Sequence, residues 1–362
     1  MNQSADFAQP ELCTKFIQAI ERHLQQPFRF MEVCGTHTMS IFQSGLRSIL
    51  PEDLVHASGP GCPVCVTSQG EIDQCLQLAA KPGVILATFG DMLKVPGSRG
   101  QSLQDLQGEG AMIRVCYTPL QAVQLARQNP GLEVIFLAVG FETTAPTVAV
   151  AVQQAQAMDL DNFKILSLHK LLPPALRQLV QDPQLAVQGF VLPGHVSAII
   201  GTEPYQFLAR EFSLPAVITG FEPLDILQAL YMLLQMQAHG KPGIENQYTR
   251  VVREQGNPRA RQIMQEVFEP GPGRWRGLGE IPDSGLKLTS EYKGFDAQEA
   301  FALGEIQAEE IQGCRCGEVL QGRISPKDCR LFGKACSPAS PVGPCMVSTE
   351  GSCAAYYKYA EN

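Results

Sequence analysis

The chain has 362 residues, 44% hydrophobic and 18% charged, with a net charge of −8. This composition is typical of a folded globular protein of two or three domains, and the acidic balance without a basic run argues against nucleic acid as the main partner. The longest apolar stretches, such as GLEVIFLAVGF, are shorter than the roughly 20 residues that span a bilayer. The first thirty residues form an amphipathic helical pattern that lacks the features of a secretory signal. We therefore expect a cytoplasmic protein with no membrane partner.

Short β-rich runs alternate with helix-like stretches from residue 28 onward: FRFMEV, GVILATFG, AMIRVCY, EVIFLAVGF, NFKILSL, AVQGFVL and PAVITGF. This alternation predicts β-α-β units with parallel sheets. The continuously apolar run EVIFLAVG predicts a strand buried on both faces. Thr144 and Pro146 then predict the start of a helix over about 144–158. We expect two Rossmann-like α/β domains that face a cleft, at 1–120 and 121–240.

The composition changes beyond residue 240. The stretch EPGPGRWRGLGEIPDSG (269–285) is rich in Gly and Pro, which favours a connecting or covering loop over a regular element. A helix is expected over about 296–312, followed by a cysteine-rich tail with little room for an apolar core. A third domain is therefore expected at 241–362, and bound metal would supply the stability that its core lacks.

In a reducing compartment the twelve cysteines are not expected to form structural disulfides, so metal binding or redox chemistry is the leading explanation for them. Two of them, Cys62 and Cys65, form a Cys-x-x-Cys pair in the stretch SGPGCPVC, where neighbouring prolines and glycines shape a stiff, tight loop. Such a pair either holds metal or cycles between disulfide and dithiol. A structural zinc half-site and a redox disulfide are both open readings of this motif.

Reactive residues follow several of the predicted strands, where doubly wound folds bind their ligands. They are Cys34 and His37 in CGTHT, Cys62 and Cys65, Glu142 in GFETT, and His195 in PGHVS. Cys34 is a candidate third soft ligand beside the Cys-x-x-Cys pair, with His37 or His195 as a nitrogen ligand or proton carrier. The alternatives are a buried Cys34, a loop histidine at 195, and a Glu142 that only stabilises a helix start.

The tail carries six cysteines within its last 49 residues. Cys329, Cys336, Cys345 and Cys353 lie in a connected run of turns and have the ligand number of a 4Fe-4S cluster. Their spacing is not the ferredoxin pattern, so the residues alone indicate an iron-sulfur or a zinc site. Cys314 and Cys316 supply two further sulfurs, which we interpret as a nearby redox dithiol or a structural pair.

Seven motifs in order, from MEVCGTHT through SGPGCPVC, VGFETTAP, PGHVSAIIG, ITGFEP and CRCGEVLQG to GPCMVSTEGSCAAYYKY, resemble those of the HypD family of nickel-iron hydrogenase maturation factors. The resemblance covers nearly the whole chain. It implies two α/β domains, a third domain with a 4Fe-4S cluster, and a cleft where the iron centre receives its cyanide and carbon monoxide ligands. It also implies a HypC-type chaperone and a HypE-type cyanide donor as partners, with Cys34, Cys62 and Cys65 as the iron-site cysteines.

These residues lead to a specific hypothesis. Cys62 and Cys65 cycle between disulfide and dithiol, and the reduced pair holds transient ferrous iron together with Cys34 and a cysteine of the chaperone. The protein would then be a redox-active assembly scaffold rather than a conventional turnover enzyme. Two other classes compete with it: an iron-sulfur thiol-disulfide oxidoreductase acting on a protein partner, and a zinc-stabilised docking scaffold.

Overall fold

The computed structural model describes residues 10–308 and 311–359, in which strands and helices alternate along most of the chain. The strands are β1 (Phe28–Glu32), β2 (Leu54–Ser58), β3 (Val84–Thr88), β4 (Met112–Val115), β5 (Glu133–Gly140), β6 (Phe163–His169), β7 (Gly189–Pro193), β8 (Ala216–Thr219), β9 (Ile244–Asn246), β10 (Phe268–Trp275) and β11 (Gly279–Leu288). Every β-rich run that the sequence analysis names from FRFMEV to PAVITGF contains one of these strands.

Helices connect and follow the strands. They are α1 (Pro10–His23), α2 (Gly35–Gln43), α3 (Leu46–Ile49), α4 (Pro63–Val66), α5 (Gln69–Ala79), α6 (Leu103–Gly108), α7 (Pro119–Gln128), α8 (Ala145–Ala157), α9 (Leu172–Val180), α10 (Gly194–Ile200), α11 (Gln206–Arg210), α12 (Pro223–Ala238), α13 (Pro258–Val267), α14 (Ala297–Ala300), α15 (Cys316–Leu320), α16 (Pro344–Val347) and α17 (Ser352–Tyr359). Within the described residues, no helix combines the length and apolarity that crossing a membrane requires.

Two parallel sheets form the framework, which confirms the expected α/β class. The first sheet has the order β2-β1-β7-β8-β9, and the second has the order β4-β3-β5-β6. Strand β5 is buried along nearly its whole length, as its apolar run predicts. Helix α8 follows it from Ala145, with Thr144 at the N-cap position and Pro146 in the first turn.

The sheets draw on the chain differently from the expected division at residue 120. Strands β1 and β2 share one sheet with β7, β8 and β9 because β1 pairs with β7, so the first sheet is assembled from residues 28–58 and 189–246. The second sheet lies between these segments in sequence, and both β4 and β5 belong to it although they flank residue 120. The expected boundary at residue 120 does not separate the sheets because β1 pairs with β7, which places Phe30 opposite Gly189.

The predicted loop at 269–285 is wrong, because this stretch forms the antiparallel hairpin β10–β11. Its glycines let the strands approach closely: a Cβ on Gly273 would lie 2.7 Å from Ser284 Oγ. A register shift between Gly271 and Gly273 absorbs the irregular sequence. Buried Trp275 anchors the hairpin, and its Nε1 donates to Ser284 Oγ at 2.8 Å.

The helix predicted over 296–312 is also largely wrong. Asp296 caps a helix that runs only over Ala297–Ala300, and Ala302 has a φ of 46°, a left-handed conformation that ends helical structure. The chain then continues without regular structure to residue 308, where Gly304 O accepts a hydrogen bond from Gln74 Nε2. Residues 309–310 lie outside the described residues.

Candidate functional site

Three of the predicted site residues, Cys34, Glu142 and His195, follow strands that lie where the strand order of a sheet reverses. In the first sheet the reversal falls between β1 and β7, whose carboxyl ends lead into Cys34 and into Gly194–His195. In the second sheet it falls between β3 and β5, and Glu142 follows β5. Such reversals leave a crevice at the sheet edge because the two chain segments turn to opposite faces. The strand-end positions predicted for Cys34, Glu142 and His195 are therefore confirmed.

The Cys34 loop and the Cys62 loop are pressed against each other. Gly35 N donates to Gly61 O at 2.9 Å, and a Cβ on Gly61 would lie 2.1 Å from Cys34 N. Only glycine fits at position 61, because any side chain would drive the two loops apart. This contact joins the chain after β1 to the chain after β2 and brings Cys34 beside the Cys-x-x-Cys segment.

Cys62 and Cys65 are disulfide-bonded, with a Cα–Cα distance of 5.2 Å. Cys62 occupies the N-cap of α4, and its Sγ accepts from Cys65 N at 3.1 Å. Both residues are buried, as is Cys34. Burial raises the pKa of the Cys34 thiol to about 12, so Cys34 is a neutral thiol at pH 7 unless a cation is close by.

Glu32 anchors the Cys34 turn and is a residue that the sequence analysis missed. It is fully buried, its Oε2 accepts from Cys34 N at 2.9 Å, and its Oε1 accepts from Thr38 Oγ1 at 2.6 Å. His56 Nε2 lies 3.6 Å from Glu32 Oε1. The signal was available, because a carboxylate at the end of the apolar strand FRFME needs polar partners nearby.

His37 and His195 stack on the same aromatic ring. The ring centroids lie 4.7 Å apart for His37 and Phe221, and 4.0 Å apart for His195 and Phe221. Burial lowers the pKa of His37 to about 4 and lowers that of His195 as well. At pH 7 both imidazoles are therefore neutral, the form that binds metal.

The ring of buried His37 is held by one nitrogen. Its Nε2 lies 2.9 Å from Gly220 O, which makes Nε2 the protonated nitrogen that donates to this carbonyl. Its Nδ1 is buried and has no hydrogen-bond partner among the described residues. A neutral imidazole with one nitrogen fixed and the other carrying a free lone pair is suited to accept a proton or bind a metal.

Glu142 reaches the site from the second sheet. Its Oε1 accepts from Leu172 N at 3.0 Å, and its Oε2 is buried without a partner among the described residues. Burial raises the pKa of Glu142 to about 7. The charges of Glu142 and Cys34 both raise the pKa of buried Tyr205, after burial itself. Tyr205, which the sequence analysis missed, therefore lies near both groups.

The tail cysteines gather around one small cavity with an apolar lining that includes Val319, Phe332 and Met346. Cys316 and Cys345 are disulfide-bonded, with a Cα–Cα distance of 6.4 Å. The remaining cysteines at this cavity are not in disulfides: Cys314, Cys329, Cys336 and Cys353. The charges of the other three raise the pKa of Cys353, in addition to its burial. Four cysteines outside disulfides in one apolar pocket fit the ligand number of a 4Fe-4S cluster.

All four cysteines of the predicted cluster set, Cys329, Cys336, Cys345 and Cys353, line this cavity. Cys345 is joined to Cys316, so the four cysteines at the cavity outside disulfides are Cys329, Cys336, Cys353 and Cys314. The sequence favoured Cys345 because it belongs to the connected run of turns that holds Cys329, Cys336 and Cys353. Helices α15 and α16 both pack on α4, and their cysteines Cys316 and Cys345 are bonded to each other.

The two disulfide pairs are neighbours. Helix α4, which carries Cys65, packs against both α15 and α16. Cys62, Cys65, Cys316 and Cys345 belong to one buried cluster. The tail also reaches the Cys34 turn, because Thr36 Oγ1 donates to Glu350 Oε1 at 2.7 Å. Among the described residues, no three His, Cys, Asp or Glu side chains are arranged to hold a single metal ion.

The fold and the site define a cysteine-rich α/β protein in which cysteines and histidines follow the ends of parallel strands. The HypD family, described as "Hydrogenase formation hypA family", matches residues 11–360. HypD2, a hydrogenase maturation factor of Bradyrhizobium diazoefficiens, is 44% identical over 368 residues, 99% of this chain and 97% of the relative.

Two further relatives carry the same description. The hydrogenase maturation factor HypD of Rhodobacter capsulatus is 44% identical over 371 residues, 99% of this chain and 98% of the relative. HypD of Escherichia coli K12 is 46% identical over 338 residues, 93% of this chain and 90% of the relative. The chain therefore belongs to the HypD family of hydrogenase maturation factors, and the resemblance of its motifs is confirmed.

Proposed function

We propose that this chain is the scaffold on which the Fe(CN)2CO moiety of a nickel-iron hydrogenase is assembled, with ferrous iron carried as cargo by Cys34, Cys62 and Cys65. Membership of a hydrogenase maturation family supports the process. The contact of Gly35 with Gly61, which packs the Cys34 loop on the Cys62 loop, is the observation that carries the proposal.

The donor types suit this cargo. Cyanide and carbon monoxide bind low-spin ferrous iron, which needs soft donors and open coordination positions for the incoming ligands. Three thiolates supply soft donors without filling an octahedral shell. Neutral His37, with Nδ1 free of partners among the described residues, is available as a nitrogen donor or proton acceptor.

The Cys62–Cys65 disulfide must open before it can bind iron, because thiolates rather than disulfide sulfurs are good ligands. Opening consumes two electrons and two protons and yields two thiols. We propose that the buried Cys316–Cys345 pair supplies them by exchange: a thiolate of the reduced tail pair attacks Cys62 or Cys65, and its partner resolves the mixed disulfide. The tail pair becomes the disulfide and the cleft pair becomes the dithiol.

Four further residues complete the electron supply in this proposal: Cys314, Cys329, Cys336 and Cys353 would hold a 4Fe-4S cluster. Such a cluster, when bound, takes electrons one at a time from an external low-potential donor. The apolar lining of the cavity would exclude water from these four thiolates. This assignment replaces Cys345 with Cys314 in the ligand set that sequence spacing favours.

The proposed partners follow from the family and from the site. A HypC-type chaperone would contribute a further cysteine to the iron, and a HypE-type protein would donate cyanide. In this proposal the assembly takes place in the cytoplasm, and one iron moiety is delivered to each hydrogenase molecule. The chain thus acts as a redox-active scaffold.

One alternative function has a specific observation in its favour. The Cys62–Cys65 pair is a disulfide beside a second disulfide, an arrangement that an iron-sulfur thiol-disulfide oxidoreductase would also use. In that case no iron would be carried at the cleft, and the reduced pair would act on a protein partner. Infrared bands of iron-bound cyanide or carbon monoxide separate the two functions.

The decisive experiment replaces Cys62 or Cys65 by Ala and measures hydrogenase maturation in cells together with infrared spectra of the purified complex. We expect maturation and the cyanide and carbon monoxide bands to disappear, while cluster iron and sulfide remain. Cys116→Ala, which changes a buried cysteine outside both cysteine groups, is the matched control. Normal maturation by either cleft variant would contradict the proposal.

A further inference from the structure

The tip of the β10–β11 hairpin, residues 275–279, lies against the helix that carries the Cys-x-x-Cys pair. Trp275 forms a β-bridge with Thr67, immediately after α4, and Arg276 N donates to Val66 O at 2.8 Å. The Arg276 side chain is buried; its Nε donates to Thr67 O and its Nη2 to Gln69 Oε1, both at 3.2 Å. The hairpin tip thus fixes the carboxyl end of α4.

The same hairpin tip contacts α15, the helix that carries Cys316. A Cβ on Gly277 would lie 2.5 Å from the Cα of Gly317, the residue next to Cys316, so the two backbones are in close contact. Gly277 has a φ of 78°, which suits glycine at a turn, and its carbonyl accepts from Gln321 Nε2. One turn of chain therefore contacts both α4, which carries Cys65, and α15, which carries Cys316.

Neither helix can hold its own position. Helix α4 has four residues and α15 has five, lengths at which an isolated helix is unstable in water, so their placement depends on neighbouring structure. The hairpin tip is itself rigidly held, since Trp275 is almost fully buried and stacks on Phe141 with a centroid distance of 6.0 Å. The rigid hairpin tip thus lies between α4 and α15, two short helices whose positions depend on their neighbours.

We propose that the hairpin tip is a clamp that holds the Cys62–Cys65 and Cys316–Cys345 pairs in the alignment required for thiol-disulfide exchange, with Arg276 as its positioning residue. This inference rests on the proposed function, in which the tail pair reduces the cleft pair. Exchange transfers two electrons and two protons between the pairs and needs no other reactant. The attacking sulfur must lie in line with the disulfide, and displacement by about 1 Å can slow a reaction about a hundredfold.

The test follows both pairs in oxidised, cluster-loaded protein after addition of sodium dithionite under anaerobic conditions. Samples are quenched in acid, alkylated and mapped by mass spectrometry, which gives a separate reduction rate for each pair. The variants are Arg276→Met, which removes the guanidinium that donates to Thr67 O and Gln69 Oε1, and Arg276→Lys, which keeps the charge on a single nitrogen. Arg274→Met is the matched control, because Arg274 lies on the same hairpin and pairs with Glu280 and Glu305 instead.

In the wild type we expect Cys316–Cys345 to open first and Cys62–Cys65 second. Arg276→Met should slow only the second step, by about tenfold or more, with unchanged midpoint potentials of both pairs in a dithiol redox buffer. Arg276→Lys should recover part of the rate, and Arg274→Met should match the wild type. A purely structural role would leave the ratio of the two rates unchanged.

The outcomes separate this inference from the function on which it rests. A Cys316→Ser/Cys345→Ser double variant that reduces Cys62–Cys65 as fast as the wild type would refute the exchange route, and the clamp with it. If the double variant is slow but Arg276→Met exchanges at the wild-type rate, the clamp alone is refuted. Should Arg276→Met fail to fold, Gln321→Ala gives the second measurement, because it releases α15 from Gly277 O without touching the buried guanidinium. Wild-type exchange in Gln321→Ala would then overturn the clamp.

Discussion

Gly61→Ala tests whether the cleft depends on the close approach of its two cysteine loops. The new Cβ would lie 2.1 Å from Cys34 N, 2.4 Å from Val33 C and 2.5 Å from Cys34 Cα, against 3.4 Å or more for ordinary contact. All three are backbone atoms, which cannot rotate away as a flexible side chain can. The Cys62 loop must therefore move by roughly 1 Å away from Cys34.

Two effects of Gly61→Ala lower the free energy of unfolding. Overpacking a tight site costs about 1–3 kcal/mol, and weakening the hydrogen bond from Gly35 N to Gly61 O costs about 1 kcal/mol more. We expect the free energy of unfolding to fall by about 2–4 kcal/mol. Under the proposed function the cleft should also lose its iron, because Cys34 is pushed away from the Cys62 loop. Cluster iron should stay, since the tail thiols lie elsewhere.

The assay combines denaturant unfolding with iron and sulfide analysis of anaerobically purified protein. Gly131→Ala is the control, because its Cβ would have no neighbour within 4 Å and its φ is an ordinary one; it should be neutral or stabilising by about 0.4–1 kcal/mol. A Gly61→Ala protein with wild-type stability and wild-type cleft iron would refute the packing of the two loops as the basis of the site.

Two further predictions concern the tail and the second sheet. Cys314→Ala should lose cluster iron and sulfide, whereas Cys345→Ser should keep about four of each; the reverse result would restore Cys345 as a ligand. Glu142, with its pKa raised to about 7 by burial, stays protonated while the unfolded carboxyl ionises near 4.5, so the free energy of unfolding should fall by roughly 3 kcal/mol as pH rises from about 4.5 to about 7. Glu142→Gln should abolish this decrease in denaturant unfolding at pH 5 and pH 8, and an unchanged slope would show that other groups cause it.

The parallel sheets could be predicted from the sequence because each strand is a local apolar run with its own boundaries. Cys34, Glu142 and His195 could be placed at strand ends for the same reason. Which strands belong to each sheet could not be predicted, since the pairing of Phe30 with Gly189 joins segments far apart in sequence. No local pattern records which of several similar apolar strands will be neighbours.

The hairpin at 268–288 was missed because Gly and Pro usually mark loops. Here Gly273 is needed for the approach of two strands, and the bulge beside it tolerates a sequence that would break a wider sheet. The apolar residues that stabilise it, among them Trp275 and Ile281, are few and irregularly spaced. Their partners come from the second sheet and from α4, so burial could not be read from the stretch itself.

In the tail, the sequence predicts the chemistry of the cysteines but not which of them are bonded to each other. Six cysteines indicate metal or redox chemistry, but which two form a disulfide depends on where α15 and α16 pack, and both helices are too short to be recognised from periodicity. Cys316 meets Cys345 because both helices pack on α4, which carries Cys65. The contacts that bring Cys316 to Cys345 therefore also place the tail disulfide next to the cleft disulfide. The choice between Cys314 and Cys345 as the fourth proposed cluster ligand and the proposed electron route to Cys62 and Cys65 thus depend on one packing arrangement.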